Sequence, residues 1–136
     1  MKRYDLIDHT ADVGIKAYGK NIDQAFENAA VGMFDIITDK SKIENQGEYT
    51  IELDAPDLEQ LLVDWLSKLL FLNGAENLVF GSFHVKITGT HLSAQAFGEQ
   101  YTTKKHKQGT EIKAVTYHIL EVHTEKPCYV QVLFDI

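Results

Sequence analysis

The sequence predicts an α+β fold in which two amphipathic helices pack on a largely antiparallel or mixed β-sheet, as a single compact domain over residues 1–136. Two segments in the first half repeat apolar residues at three- and four-residue spacing, the period of a helix with one buried face. Much of the remaining chain alternates apolar and polar residues, as half-buried strands do. The long run of strands after the second helix favours antiparallel pairing. A chain of 136 residues is also an ordinary length for one domain.

Both predicted helices carry start signals. Asn21 is a good N-cap residue, and Gln24 three positions later gives a start similar to a capping box. Asp57 and Gln60 repeat that pattern for the second helix, and Asn73-Gly74 predicts where it ends. The apolar face of the first helix consists of Ile22, Ala25, Phe26, Ala29, Ala30, Met33, Phe34 and Ile37. The apolar face of the second consists of Leu58, Leu61, Leu62, Trp65, Leu66, Leu69 and Leu70.

The strands follow from alternation. Gly89 joins two of them as a hairpin. The strand 112–122 is rich in β-branched and aromatic residues, and its alternation puts Lys113, Tyr117 and Ile119 on one face. Residues 101–111 are polar and aperiodic, which indicates a mobile loop or turn. The predicted strands cover residues 12–18, 49–54, 83–87, 92–96, 112–122 and 128–136.

Composition excludes several classes of protein. A net charge of −7 argues against direct, non-specific nucleic-acid binding, which depends on Lys and Arg. It is compatible with binding of a cation or of a basic protein surface. The single cysteine, Cys128, excludes an internal disulfide and is interpreted as a small buried hydrophobic residue. No signal peptide or membrane-length apolar run is present, so we expect a reducing, cytoplasmic location.

Acidic residues lie beside apolar strands at both ends of the chain. Asp8 and Asp12 flank His9 in the segment DHTADVGI, and Asp135 precedes the last residue, Ile136. If the fold brings the two ends together, hard oxygen ligands converge, and such ligands suit Mg²⁺, Mn²⁺ or Ca²⁺. The pattern equally allows Asp8 to cap a turn, Asp12 to be a solvated strand residue and Asp135 to lie in a frayed terminus.

Other candidates are scattered along the chain. Glu99 follows Gly98 at a predicted kink and offers a third carboxylate, or else a simple strand-end charge. Lys113 can pair with a carboxylate or reach a phosphate, whereas His118 in mid-strand is more typical of a hydrogen-bonded structural residue than of a ligand. The basic cluster 104–107 is interpreted as a solvated loop, with contact to phosphate or an acidic partner as the alternative. No nucleophile with its own base, Walker loop or dinucleotide fingerprint is present.

Taken together, six segments resemble the archease family. They occur in family order over essentially the whole chain, and every motif position matches. Each segment is a weak signal alone, whereas six in order make a specific match. The segments are HTADVGI (9–15, with Gly19 soon after), AFENAAVGMF (25–34), DLEQLLVDWL (57–66), AFGE (96–99), IKAVTYH (112–118) and FDI (134–136).

The resemblance implies a non-catalytic accessory protein that activates an RtcB-type RNA ligase in tRNA splicing and RNA repair. Archeases promote guanylylation and turnover of that ligase, so GTP belongs to the ligase and RNA is reached only through it. Carried over by motif, the family's metal site falls on Asp12, Asp135 and the main-chain carbonyl of Ile136, with Ca²⁺ as the family's ion and Mg²⁺ or Mn²⁺ as alternatives. No membrane contact is implied.

Two other functions stay open from the sequence. A small metal-dependent phosphohydrolase would need a general base, for which Glu99 and His118 are the obvious candidates. A chaperone-like modulator would use the ion only to stabilise its own fold.

Overall fold

The computed structural model describes residues 2–9 and 11–136, apart from the side chain of His9. Within these residues the chain forms two helices and seven strands. In chain order the elements are β1 (Tyr4–His9), β2 (Asp12–Gly19), α1 (Ile22–Ile37), β3 (Gly47–Asp54), α2 (Leu58–Glu76), β4 (Leu78–Thr88), β5 (His91–Gln100), β6 (Ala114–His123) and β7 (Cys128–Asp135).

The strands form two antiparallel sheets. One sheet has the strand order β1-β2-β7-β6, and the other has the order β3-β5-β4. Helix α1 contacts β2 and β7 of the first sheet and β4 of the second, while α2 packs chiefly against β6. The predicted α+β class is therefore confirmed, but the strands belong to two sheets rather than one, because α1 is apolar enough to be buried from both sides. Its completely buried residues include Phe26, Ala29 and Met33.

The helix starts are confirmed, whereas the predicted end of α2 is wrong. The Asn21 side chain accepts a hydrogen bond from Gln24 N at 2.9 Å, and Asp57 accepts one from Gln60 N at 2.8 Å. Helix α2 continues past Asn73-Gly74 to Glu76, where Asn77 ends it in the left-handed conformation with φ 58°. Asparagine tolerates that conformation, so it replaces glycine as the terminator. No described helix is long and apolar enough to cross a membrane.

One hydrophobic core spans α1, α2 and the inner faces of both sheets. Trp65 of α2 is completely buried, and its indole Nε1–H donates to the Phe26 carbonyl oxygen at 3.1 Å. Its ring meets Phe83 edge-on, with ring centroids 5.9 Å apart, and Phe34 meets Phe80 in the same way at 5.5 Å. This arrangement fixes α1 between the sheets. It thereby also fixes the C-terminal end of α1, which lies near β1 and β7.

Two carboxylates of α1 bind β4, which lies at the edge of the second sheet. Glu27 accepts from Val85 N at 2.9 Å, and Asp23 accepts from Ile87 N at 3.0 Å. An edge strand otherwise presents unpaired backbone groups that invite association with other chains. Asp23 and Glu27 therefore supply hydrogen-bond acceptors to two backbone N–H groups of this edge strand.

Strand β6 departs from its predicted alternation. Thr116 pairs with Leu133 and Glu121 pairs with Gln131, so residues 117–120 lie opposite Val132 alone. Ile119, within this bulge, has φ 55°, an unusual value for a β-branched residue. The prediction that Lys113, Tyr117 and Ile119 share one face is therefore wrong, because the bulge breaks the period after Thr116.

Candidate metal centre

The two acidic ends of the chain meet on neighbouring strands. Strand β2 pairs with β7 in a register that places Asp12 directly opposite Asp135. Directly opposed residues of antiparallel strands have Cα atoms roughly 4.5–5.5 Å apart, and their side chains lie on the same face. The structure therefore meets the geometric condition for a shared site, and ion binding itself stays a prediction.

The hydrophobic pattern fixes this register. Val13 and Ile15 of β2 lie opposite Phe134 and Val132 of β7. Ile15, Val132 and Phe134 are completely buried, so a slip of one residue would move these side chains to the opposite face. The alternation that buries them places the Asp12 and Asp135 side chains on the other face, at the end of the strand pair. Ala11, with φ 63°, directs the chain from β1 into this position.

An acidic cleft of about 360 Å³ adjoins Asp12 on the face of the sheet that carries Val13 and packs against α1. Apolar side chains border it, with Leu6 53% exposed and Ile136 37% exposed. Asp135 is not among the residues that line the cleft. The lining residues are Tyr4, Leu6, Asp8, Asp12, Val13, Asp35, Ile36, Asp39, Lys40, Gly109, Thr110 and Ile136. Four aspartates and one lysine thus give it a surplus of negative charge, which attracts cations.

The donor set suits a hard divalent cation. Two carboxylates and a main-chain carbonyl are oxygen ligands of the kind that Ca²⁺, Mg²⁺ and Mn²⁺ prefer. Among the described residues, no group of three or more His, Cys, Asp or Glu side chains is arranged to hold a metal. A set with only two side-chain ligands leaves most of the coordination shell of such an ion to water or to a partner.

Sequence reasoning missed Tyr4, Asp35 and Asp39, which contribute to the cleft. The Tyr4 hydroxyl donates to Asp35 Oδ2 at 2.7 Å and thus joins β1 to the end of α1. Burial and this hydrogen bond both raise the pKa of Tyr4, so the phenol stays protonated. Asp35 and Asp39 are four residues apart, and that spacing alone indicated only a polar helix end.

Backbone hydrogen bonds hold the terminal residues in place. Lys113 N donates to the Asp135 carbonyl oxygen at 2.7 Å, immediately before β6 begins. Upstream in the same connection, Gly109 N and Thr110 N donate to Ile37 and Ile36 carbonyl oxygens, each at 2.9 Å. The connection between β5 and β6 is therefore attached both to the end of α1 and to the last peptide of β7.

The remaining candidates lie in different places. Asp8 lies opposite Val13 and lines the acidic cleft. The side chain of His9 lies outside the described part of the structure. Lys113 lines a separate groove of about 920 Å³ between α2 and residues 108–115. His118 is exposed in the β6 bulge. Glu99 is in β5 of the other sheet and does not line the acidic cleft.

Glu99 is the centre of a second polar cluster. Lys105 Nζ donates to Glu99 Oε1 at 2.6 Å, while Glu44 N at 2.8 Å and His106 Nε2 at 3.0 Å share Oε2. Lys105 also binds Glu44 Oε1 at 2.7 Å. The interpretation of residues 104–107 as a solvated loop is wrong for His106, which is 3% exposed, because the buried carboxylate of Glu99 requires donors. Lys105 is exposed, as predicted, and it also donates to Glu99.

We expect the Glu99 cluster to make stability depend on pH in the acid range. Burial alone would raise the pKa of this carboxyl, but the hydrogen bonds from Lys105, Glu44 N and His106 outweigh it and lower the pKa from 4.5 to about 2. The folded state therefore favours the ionised form, and its stabilising contribution is complete above about pH 4.5 and is lost as the pH falls toward about 2.

Urea unfolding of the native protein and of Glu99→Gln at several pH values tests this expectation. The native protein should be the more stable of the two at neutral pH, and the difference should shrink as the pH falls below about 4.5. Glu48→Gln, which changes an exposed carboxylate on β3, is the matched control. An equal and constant effect of both substitutions across this range would contradict the expectation.

Comparison with known proteins identifies the family. The model of the archease protein family (MTH1598/TM1083) matches residues 4–136. A protein archease from Methanosarcina barkeri is 46% identical over 141 residues, which cover 99% of this chain and 97% of that protein. One from Sulfurisphaera tokodaii is 39% identical over 132 residues, which cover 96% of this chain and 95% of that protein.

Two solved structures resemble this fold. The solution structure of Methanobacterium thermoautotrophicum protein 1598 has a TM-score of 0.87 and 39% identity, with complete coverage of both chains. A Thermotoga maritima crystal structure, described as an archease and possible chaperone, has a TM-score of 0.62 and covers 96% of this chain and 94% of that chain. At 22% identity, this second likeness supports the fold alone. The family match over almost the whole sequence, the close relatives and the shared fold together show that this chain belongs to the archease family.

Proposed function

We propose that this protein is a metal-binding accessory protein that activates an RtcB-type RNA ligase by promoting guanylylation and turnover of the ligase. The observation that carries this proposal is the register of Asp12 opposite Asp135, because two carboxylates that face each other across a strand pair can share one divalent ion. Membership of the archease family supplies the link to a ligase. In this proposal the protein catalyses no reaction of its own.

In the proposed mechanism Asp12, Asp135 and the Ile136 carbonyl would hold a divalent ion. Such an ion, when bound, would help neutralise charge on transferring phosphoryl groups. Three protein oxygens do not complete the six to eight ligands typical of Ca²⁺, so water or a ligase group must supply the rest. The exposed apolar side chains of Leu6 and Ile136 border the acidic cleft that Asp12 also lines, and they offer contact area for the ligase.

The charge distribution supports action through a partner rather than direct RNA binding. Asp8, Asp35 and Asp39 surround the cleft beside the centre, and they would repel the phosphates of a nucleic acid. The same carboxylates attract a basic protein surface and raise the local concentration of cations. RNA and GTP are therefore assigned to the ligase, and the acidic cleft is assigned to the contact between the two proteins.

The direct test is ligase guanylylation with GTP, with and without this protein, in Mn²⁺, Mg²⁺ and Ca²⁺. We expect a larger guanylylated fraction and repeated ligation cycles only when the protein is present. Asp54→Asn, which alters an exposed carboxylate of β3, should activate as well as the native protein. Unchanged guanylylation in all three metals would overturn the proposal. Hydrolysis of phosphate esters by the isolated protein would favour the phosphohydrolase instead.

A chaperone-like role is the second candidate because the Thermotoga maritima archease is described as a possible chaperone. In that case an ion at the centre would serve the fold only. Variants of Asp12 or Asp135 would then lose thermal stability, and any activation would follow the amount of folded protein. Loss of activation in a fully folded variant would exclude this role.

A further inference from the structure

We infer that Glu99 is a positioning residue for the candidate metal centre, which it influences through the connection between β5 and β6, residues 101–113. Glu99 fixes one end of this connection, and the other end binds the last peptide of β7. The link to ligase activation rests on the proposed function, whereas the link to the geometry of the centre does not.

His106 is fixed in one tautomer at the Glu99 end. Thr102 N, which can only donate, lies 3.0 Å from His106 Nδ1, so this ring nitrogen accepts and carries no proton. Nε2 therefore carries the proton and donates to Glu99 Oε2 at 3.0 Å. The ring is 3% exposed and stacks on Tyr101 with centroids 5.6 Å apart. Both ring nitrogens are thus satisfied, and loss of Glu99 would leave a buried donor unpaired.

The path from His106 to the centre is short and offers little freedom. Lys107 N donates to Ser41 Oγ at 2.7 Å, and Gly109 and Thr110 then bind the final carbonyls of α1. A Cβ on Gly109 would collide with the Ile36 carbonyl oxygen, so the backbone here is packed directly against the helix end. A displacement of His106 that moves this segment off the helix end would therefore also move the residues that lead to Lys113.

Lys113 completes the path because its N–H binds the carbonyl oxygen of Asp135 at 2.7 Å. Asp135 is one of the proposed ligands, and its carbonyl belongs to the peptide that leads to Ile136, which supplies another. The same connection also lines the acidic cleft through Gly109 and Thr110. Glu99 thus acts on the centre from the other sheet, without contact with the ion.

Two substitutions at His106 separate its two hydrogen bonds. In His106→Gln the amide nitrogen can take the place of Nε2 and still donate to Glu99. In His106→Asn the shorter amide can take the place of Nδ1 and accept from Thr102, but it does not reach Glu99. If Glu99 acts through His106, His106→Gln should behave like the native protein, and His106→Asn should behave like Glu99→Ala, which removes the acceptor of the Nε2–H bond.

Binding of Ca²⁺ and of Mn²⁺ to the isolated protein is measured by calorimetry, with hydrogen exchange at the amide of Lys113. We expect His106→Asn and Glu99→Ala to weaken ion binding about 10-fold, as loss of supporting partners does at other metal sites, and to speed exchange at Lys113. His106→Gln should remain close to the native protein in both measurements. Native affinity together with native exchange in His106→Asn would overturn the inference.

The outcomes separate this inference from the proposed function. A native protein that binds no ion and does not activate the ligase refutes the proposed function, and hydrogen exchange at Lys113 then decides the inference by itself. If Glu99→Ala fails to fold, the two His106 variants still provide the comparison. A folded His106→Asn variant that binds the ion weakly and activates poorly, beside a normal His106→Gln variant, supports both.

Discussion

Asp135→Asn is expected to weaken divalent-ion binding strongly without weakening the fold. The substitution removes one of two proposed carboxylate ligands and keeps the shape of the side chain. We expect the affinity for the ion to fall on the order of 100-fold, because loss of a residue that only supports a ligand already costs up to about that much. Asp12 and Asp135 are directly opposed like charges, an arrangement that is destabilising in a sheet. Without metal, the variant should therefore be as stable as the native protein or more stable by about 0.2–1 kcal/mol.

Thermal unfolding with chelator and with excess Ca²⁺ or Mn²⁺ measures both effects together. A bound ion stabilises the native protein by mass action, so its melting temperature should rise with metal, and that of Asp135→Asn should rise much less at the same metal concentration. Asp54→Asn is the control for loss of one exposed negative charge and should respond to metal as the native protein does. An unchanged metal response in Asp135→Asn would remove this residue from the site.

Local elements were predictable because their signals lie within a few residues. The N-caps Asn21 and Asp57 each act on an amide three positions away, and the structure has both bonds. The division into two sheets was not predictable, because it depends on which strands pair across long stretches of sequence. Strand β1 was missed for a related reason, since it is an edge strand whose Leu6 is 53% exposed and gives only a weak alternation.

The candidate site was predictable from its two ends but not from its surroundings. Both acidic motifs were visible, whereas their alignment depends on the buried pairs of β2 and β7. Asp35 and Asp39 reach the cleft only because α1 is buried beside β1, which the pattern of the helix does not reveal. Glu99 was recognised as a candidate carboxylate, but its partners lie in a polar stretch whose order comes from Glu99 itself. Sequence periodicity carries no signal for such mutual dependence.

Trp65→Ala is expected to destabilise the fold more than any substitution at the metal centre or in the Glu99 cluster. The indole is completely buried between α1 and Phe83, and its removal leaves a cavity that the two surrounding layers cannot close. Truncation of a buried Trp or Phe to Ala usually costs about 3–5 kcal/mol. The substitution also removes the hydrogen bond to Phe26 O, worth about 1 kcal/mol. Urea unfolding at neutral pH gives the free energy of unfolding directly.

Phe71→Ala on the same helix is the matched control. Phe71 is 61% exposed, so its truncation removes an aromatic ring without opening a cavity, and alanine is the better helix former. We expect a change within about 0.5 kcal/mol, as is usual for surface substitutions. Because α1 ends at the acidic cleft, Trp65→Ala should also reduce ion binding, whereas Phe71→Ala should not. Equal effects of the two substitutions on unfolding would contradict a core centred on Trp65 and α1.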